Sequence, residues 1–444
     1  MKGKFYYGWW IVVAAFLVMF VCAGIGFSTF PVFLKYLEQD MGWNRTSLSI
    51  ASMIAALAAG IATPFVGAVV EWLGLRAVML PGAVLLAGSY LLLGRVHSIH
   101  QLWILNIGVG IGLATTTILP AQTLVSRWFE RRRGRAMGAV TMANALGSVL
   151  WLPLTGMLIE SYGWRRSYGI LGALIGVVSI PVILFIIRNS PQSMGLEIDG
   201  DVGPAEASDS FPGGAIRFGN EGYTVREAIR TNTFWLIVAA TFFLNFAASG
   251  FGLHVIPFLS DTELSNAQAV NLWAAVQGVS IAARLFFGYL SERYQKRYFA
   301  AAANVSRLIC IAALLLFAMN VAPFALAAGV LILVYGAGMG CNAVINPLVI
   351  GESFGLKSFA RILGILGIPY TLGMALGMYS GGKLFDLRSD YILAFSVFGA
   401  GFLLAGISIY FAKPCLLFDR LRVRAPDAVP NSKTKGLPLS EEAE

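Results

Sequence analysis

The stretch Gly67-Ala-Val-Val-Glu71-Trp-Leu-Gly74-Leu-Arg76 returns as Gly288-Tyr-Leu-Ser-Glu292-Arg-Tyr-Gln-Lys-Arg297, so that Gly67, Glu71 and Arg76 recur at a constant shift of 221 residues. Each copy closes a long apolar run with an acid and a base where the run meets a polar turn. Glycine allows a neighbouring helix to approach closely, and charges at helix ends can pair across neighbours. Two such turns in the same register mark the chain as two related halves.

The surroundings of the two turns set the class. The chain has 444 residues, 57% apolar and 12% charged, about half the charge share of a soluble domain. Six apolar runs precede the middle of the chain, at about 7–34, 46–73, 77–95, 101–126, 136–159 and 167–188. Six follow it, at about 233–260, 267–291, 298–320, 324–350, 359–385 and 390–413. Each is long enough to cross about 30 Å of hydrocarbon as a helix. The expected architecture is an all-α polytopic membrane protein: a first six-helix unit (1–188), a polar linker (189–232), a second six-helix unit (233–413) and a tail (414–444). Within the linker, Thr224 three residues before Glu227 reads as a capped short helix at the membrane surface.

The net charge of +9 is spread through short turns and forms no single stripe, which argues against a nucleic-acid partner and for membrane topology. With both termini cytoplasmic, inside segments hold 23 Lys and Arg and outside loops hold seven, as the positive-inside rule requires. The first run exceeds a signal-peptide core and is expected to be retained. The four cysteines have neither paired nor metal-ligand spacing, and no phosphate loop, nucleophile elbow or zinc helix occurs. No enzyme, cofactor or metal is expected.

Two strong bases, Arg284 and Arg307, lie well inside apolar runs. An arginine there costs about 2.5–3.5 kcal/mol on insertion scales and faces a cavity or a partner. No acid is comparably deep, so a carboxylate from outside the protein is the natural counter-ion for Arg284, through the planar guanidinium fork. Gln277 stands seven residues before it, near the same face. His254, in the seventh run, is the one deep side chain that titrates near neutral pH and is the leading proton site. Tyr335, Met339, Asn342 and Asn346 form a polar stripe on the tenth run, with Tyr335 and Asn342 as candidate substrate contacts. Arg307, on a run expected to be peripheral, is expected to be structural or to snorkel.

The repeated turn resembles the loop motif of the major facilitator superfamily, with Glu71 and Glu292 where that motif has Asp and Gln295 where its second copy has Gly. Arg127-Trp-Phe-Glu-Arg-Arg-Arg-Gly134-Arg-Ala136-Met-Gly138, Ser353-Phe-Gly-Leu-Lys-Ser-Phe-Ala-Arg-Ile-Leu-Gly364 and the opening Tyr7-Gly8-Trp9-Trp10 are similar to segments of its monocarboxylate and oxalate/formate porters. The resemblance implies two six-helix bundles, each of inverted three-helix repeats, around a midplane cavity, with Arg284 at the position those porters use for the substrate carboxylate. The chain departs from the animal members at Ser280, where they carry an aspartate, and lacks their first-span lysine. It also lacks the eleventh-span lysine of oxalate exchangers, since 362–382 holds none. One arginine favours one carboxylate.

These readings together predict a secondary transporter in a prokaryotic cytoplasmic membrane, surrounded by lipid. It would carry a short monocarboxylate such as L-lactate or pyruvate with a proton, by alternating access; the alternative readings are an organic-anion exchanger of the oxalate/formate type and a non-transporting membrane receptor for an organic acid. Substrate contacts are expected from Arg284, Tyr335, His254, Asn342 and Gln277, and proton coupling from His254.

Overall fold

The computed structural model describes residues 6–130, 132–198, 222–262, 264–290, 295–355, 358–413 and 415. Most of the expected linker and nearly all of the expected tail lie outside these residues, as does Glu292 of the second turn; so does the side chain of Glu71.

Among the described residues the architecture is helical, with a single isolated bridge, Gly222 to Gly355, and no strand. The helices are α1 (Gly8–Ser28), α2 (Phe30–Met41), α3 (Arg45–Leu73), α4 (Leu75–Leu93), α5 (Ile99–Thr116), α6 (Ile118–Trp128), α7 (Arg133–Pro181), α8 (Val225–Ile229), α9 (Asn232–Ser260), α10 (Asn266–Leu290), α11 (Lys296–Ala318), α12 (Phe324–Phe354), α13 (Phe359–Arg388) and α14 (Ile392–Phe411). Among the described residues, eleven stretches are long and apolar enough to cross a membrane. One of them contains two passes, because α7 is broken at Gly163, whose φ of 77° only glycine adopts readily. With that break the described residues offer twelve candidate passes, the number that the apolar runs predict. Gly74, at φ 85°, makes the equally abrupt turn between α3 and α4.

Local chemistry sets several boundaries. Asn44 caps α3 by accepting from Ser47 N at 2.9 Å, and Ser98 with Gln101 forms a capping box on α5. Thr224 and Glu227 form the capping box anticipated for α8. Small residues bring helices together: a Cβ on Gly373 or Gly377 of α13 would collide with the Phe242 and Phe246 carbonyls of α9.

The two halves meet through α3 against α13 and α7 against α10. These contacts are tight at the end away from the termini, called here the far end. Gly382 packs on Ser49 and the Arg45 carbonyl, and Gly156 lies against Val270. At the near end several glycines of the same helices face open space. Around Gly67 of α3, Gly138 of α7, and Gly364 and Gly367 of α13, no described heavy atom comes within 4 Å of where a Cβ would stand.

Candidate functional site

A cavity of about 230 Å³ lies between the halves, bounded by helices of both. Among the described residues its wall carries no Lys, Arg, Asp or Glu. Phe27, Phe30, Trp273, Met339, Met374 and Met378 are among its apolar lining. Several polar groups of the wall are spent on the protein itself. Ser28 bonds Ser148, Ser249 donates to the Asn245 and Met374 carbonyls, and Asn106 donates to the Leu102 carbonyl. Gln277 has no side-chain partner among the described residues, and the buried hydroxyl of Tyr168 has none either.

Helix α10 connects this cavity to Arg284. At 100° per residue, Trp273, Gln277 and Arg284 fall within about 40° of one another on the helix. Trp273 and Gln277 line the cavity, and Arg284 follows two turns nearer to the near end. Side chains of a helix lean towards its N-terminus, and for α10 that is the cavity side. Arg284 is half-buried, its Nε is enclosed without an acceptor, and it has no carboxylate partner among the described residues. A guanidinium in this state can accept an anion without giving up an existing ion pair.

Beyond the cavity, the far end is closed by a polar cluster that no run of sequence announced. Arg45 is 3% exposed. Its Nη1 lies 2.6 Å from Asp261 Oδ2, its Nη2 lies 2.9 Å from Glu38 Oε2, and its Nη1 also donates to the Tyr391 hydroxyl at 2.7 Å. The guanidinium sits 3.8 Å above the Phe385 ring. Asp386 accepts from the backbone N–H groups of Arg45 and Thr46 at 3.3 and 2.8 Å, capping α3 from the other half of the protein. Lys35 pairs with Asp261 at 3.3 Å and donates to the Ser260 carbonyl. Glu38, Lys35 and Arg45 belong to the first half; Asp261, Asp386 and Tyr391 belong to the second.

His254 is part of this closure and does not line the cavity. It is fully buried, with Nδ1 3.2 Å from the Tyr391 hydroxyl and Nε2 3.2 Å from Ser49 Oγ and 3.3 Å from the Met378 carbonyl. The carbonyl can only accept, which puts the proton on Nε2 and leaves Nδ1 to accept from Tyr391. Tyr391 in turn accepts from Arg45. The chain Arg45 to Tyr391 to His254 to Met378 is therefore satisfied with a neutral imidazole.

The tenth-run stripe divides on folding. Met339 faces the cavity. Tyr335 is buried inside the second half, 4.8 Å from the Phe251 ring and 5.8 Å from Trp273, with Arg307 5.3 Å above its own ring. Asn342 donates to Asn304 Oδ1 at 2.9 Å, also away from the cavity. A π-helical turn, Leu331–Tyr335, precedes this part of α12 and offsets its register from a regular helix. Arg307 does not snorkel. It is 4% exposed, held between Tyr335 and Phe402 with Nη2 3.3 Å from the Gly338 carbonyl. Of the five residues expected to touch substrate, the fold puts Gln277 on the cavity and Arg284 on the same helix face. It places His254 in the far-end closure, and Tyr335 and Asn342 in the interior of the second half. The sequence reading missed Arg45, Asp261 and Tyr391, and its only trace of them was that the acids gather at helix ends.

A family model described as Major Facilitator Superfamily matches residues 16–355. The chain belongs to the major facilitator superfamily. It is an integral membrane transporter of that family and not an enzyme. The monocarboxylate transporter 12 of Rattus norvegicus is 23% identical, with 94% of this chain and 87% of that protein covered. The monocarboxylate transporter 13 of Bos taurus is 25% identical over 98% and 96%. An uncharacterized MFS-type transporter of Bacillus subtilis, YcxA, is 23% identical over 83% and 86%. In three dimensions a bacterial homologue of the lysosomal transporter Spinster, in an inward-facing and unoccupied conformation, matches with a TM-score of 0.70 at 17% identity, covering 94% of this chain and 99% of that one. The nucleoside transporter NupG, solved as a point mutant, matches with a TM-score of 0.69 at 11% identity, over 92% and 100%. At these identities the structural likeness establishes the shared fold.

Proposed function

We propose that this transporter carries a monocarboxylate together with a proton across a prokaryotic cytoplasmic membrane, with L-lactate and pyruvate as minimal substrates. The observation that carries the reading is Arg284, a cation without a carboxylate partner among the described residues, on the helix face that leads into the cavity. The monocarboxylate transporters among its relatives support the same substrate class. In this reading Arg284 binds the carboxylate and Gln277, on the cavity wall, meets the rest of the substrate. Charge neutralisation then lowers the cost of closing an apolar cavity around the ion.

The 23-to-seven charge bias favours a cytoplasmic position for both termini, which makes the far end external and the near end cytoplasmic. The halves, 1–188 and 233–413, rock about the cavity, breaking the Arg45 cluster when the outside opens. A proton on His254 adds a second positive charge behind Tyr391, opposite Arg45, and removes the lone pair that accepts from Tyr391. Asp386, Asp261 and Glu38 are the acids near that pair of cations. Protonation from outside therefore loosens the external closure, which links the proton to the step that admits substrate.

The test is uptake of labelled L-lactate into proteoliposomes with and without an inward proton gradient at clamped voltage. Gradient-driven accumulation is expected. Uptake that depends only on acid preloaded inside would replace symport by exchange, and an absence of both would remove lactate from the substrate list.

A further inference from the structure

We infer that the preferred substrate is a monocarboxylate with an aryl or branched-alkyl body rather than a three-carbon acid; this rests on Arg284 as the carboxylate site. The inference comes from the distance and the chemistry that separate Arg284 from the cavity. Gln277 and Arg284 are two helical turns apart, about 10 Å along the α10 axis. A carboxylate at Arg284 therefore sits at the cytoplasmic edge of the cavity, and only a longer molecule reaches into it.

What such a molecule meets is apolar. Phe27 and Phe30 come from the first half, and Trp273, Met339, Met374 and Met378 from the second. Methionine adapts to irregular apolar shapes and makes favourable contacts with aromatic rings. Ser28, Ser249 and Asn106 of the wall are tied to protein partners, so they offer a small polar acid little. A cavity of about 150 Å³ lined by apolar side chains is enough to bind benzene, and this one is about 230 Å³. Lactate would leave most of that space to water against aromatic and thioether surface. A phenyl or branched-alkyl group fills it and removes that surface from water. Gln277, on the cavity wall, meets the body of such a molecule and not its carboxylate end.

Thermal unfolding of the purified full-length transporter, titrated with ligand, measures binding without presupposing transport. The probes are L-lactate, 3-phenyllactate and the uncharged 3-phenyl-1,2-propanediol. The expected result is half-saturation by 3-phenyllactate at a concentration about tenfold or more below that for L-lactate, with no shift from the diol. Ala248→Leu, which adds bulk to the cavity wall, is expected to shrink that ratio, and Arg284→Ala to abolish the shift with both acids. Stabilisation by L-lactate that 3-phenyllactate fails to exceed would overturn the preference for a bulky body while leaving the carboxylate site standing. If neither acid stabilises the protein, or the diol matches the acid, the Arg284 site itself is lost and the inference with it.

Discussion

Arg45 Nη1 and Asp261 Oδ2 are 2.6 Å apart across the boundary between the two halves, and the Tyr391 hydroxyl shares the same nitrogen. The pair joins the start of α3 to the end of α9, so the far end cannot open without breaking it.

Asp261→Asn is expected to weaken this closure by about 1–3 kcal/mol, between the exposed and the buried limits for ion pairs, because Arg45 is enclosed while Asp261 is a third exposed. That is a shift of about 5- to 150-fold towards the outward-open form. Labelling of a cysteine placed at Ser52, on the cavity wall, by a membrane-impermeant reagent from outside should rise accordingly. Unchanged labelling would show that the cluster does not hold the gate.

Arg284→Lys keeps the charge and loses the fork, whereas Arg284→Ala loses both. Uptake should fall about tenfold or more in the lysine variant and to background in the alanine variant, since charge-assisted hydrogen bonds contribute about 1.5–3 kcal/mol. Both proteins should still insert and purify as folded monodisperse material. Normal uptake in Arg284→Ala would take this residue out of the site.

His254→Gln preserves hydrogen bonding to Met378 or Tyr391 but cannot acquire a charge. In the wild type, a proton on His254 stands against Arg45, so uptake is expected to rise as external pH falls. The glutamine variant should show a flat profile over the same range. A slope that survives the substitution would locate proton coupling elsewhere.

Gly138→Leu and Gly364→Leu place bulk at the near ends of α7 and α13, where no described atom stands within 4 Å. Each variant should fold and bind acid normally and yet turn over at least about tenfold more slowly, because close helix approach there needs small residues. Full turnover would mean that these faces do not meet when the near end closes.

Tyr335→Phe removes a hydroxyl from a ring packed against Phe251 and Arg307. The apparent KM for the acid should stay within about twofold, because equal binding of ground and transition states is not touched. A rise of about tenfold would return Tyr335 to the substrate site.

The resolution of the site follows the reach of sequence periodicity. Trp273, Gln277 and Arg284 lie on one helix, and helical spacing alone puts them on one face. The tenth-run stripe obeys the same rule, yet spacing does not say which neighbour the face meets. In the fold Tyr335 and Asn342 meet α14, α11 and the side chains they carry, while Met339 reaches the cavity. His254 stood out as the deep titratable group, but its partners Ser49, Met378 and Tyr391 come from other parts of the chain. Arg307 shows the same limit, because its aromatic cage joins α11 to α12 and α14.

The sequence by itself determined that this chain crosses a membrane twelve times in two related halves, because hydrocarbon excludes charge and leaves unpaired backbone groups only the helix as a solution. It also placed Arg284 in an apolar run with no acid of comparable depth, which is the ground for proposing it as an anion site. Only the tertiary structure decided which end is shut. That depends on Arg45 and Asp261, 216 positions apart in the chain, being brought to hydrogen-bonding distance. Ion pairs act over a few ångströms in space, and no local pattern along the chain encodes which distant loop will supply the partner.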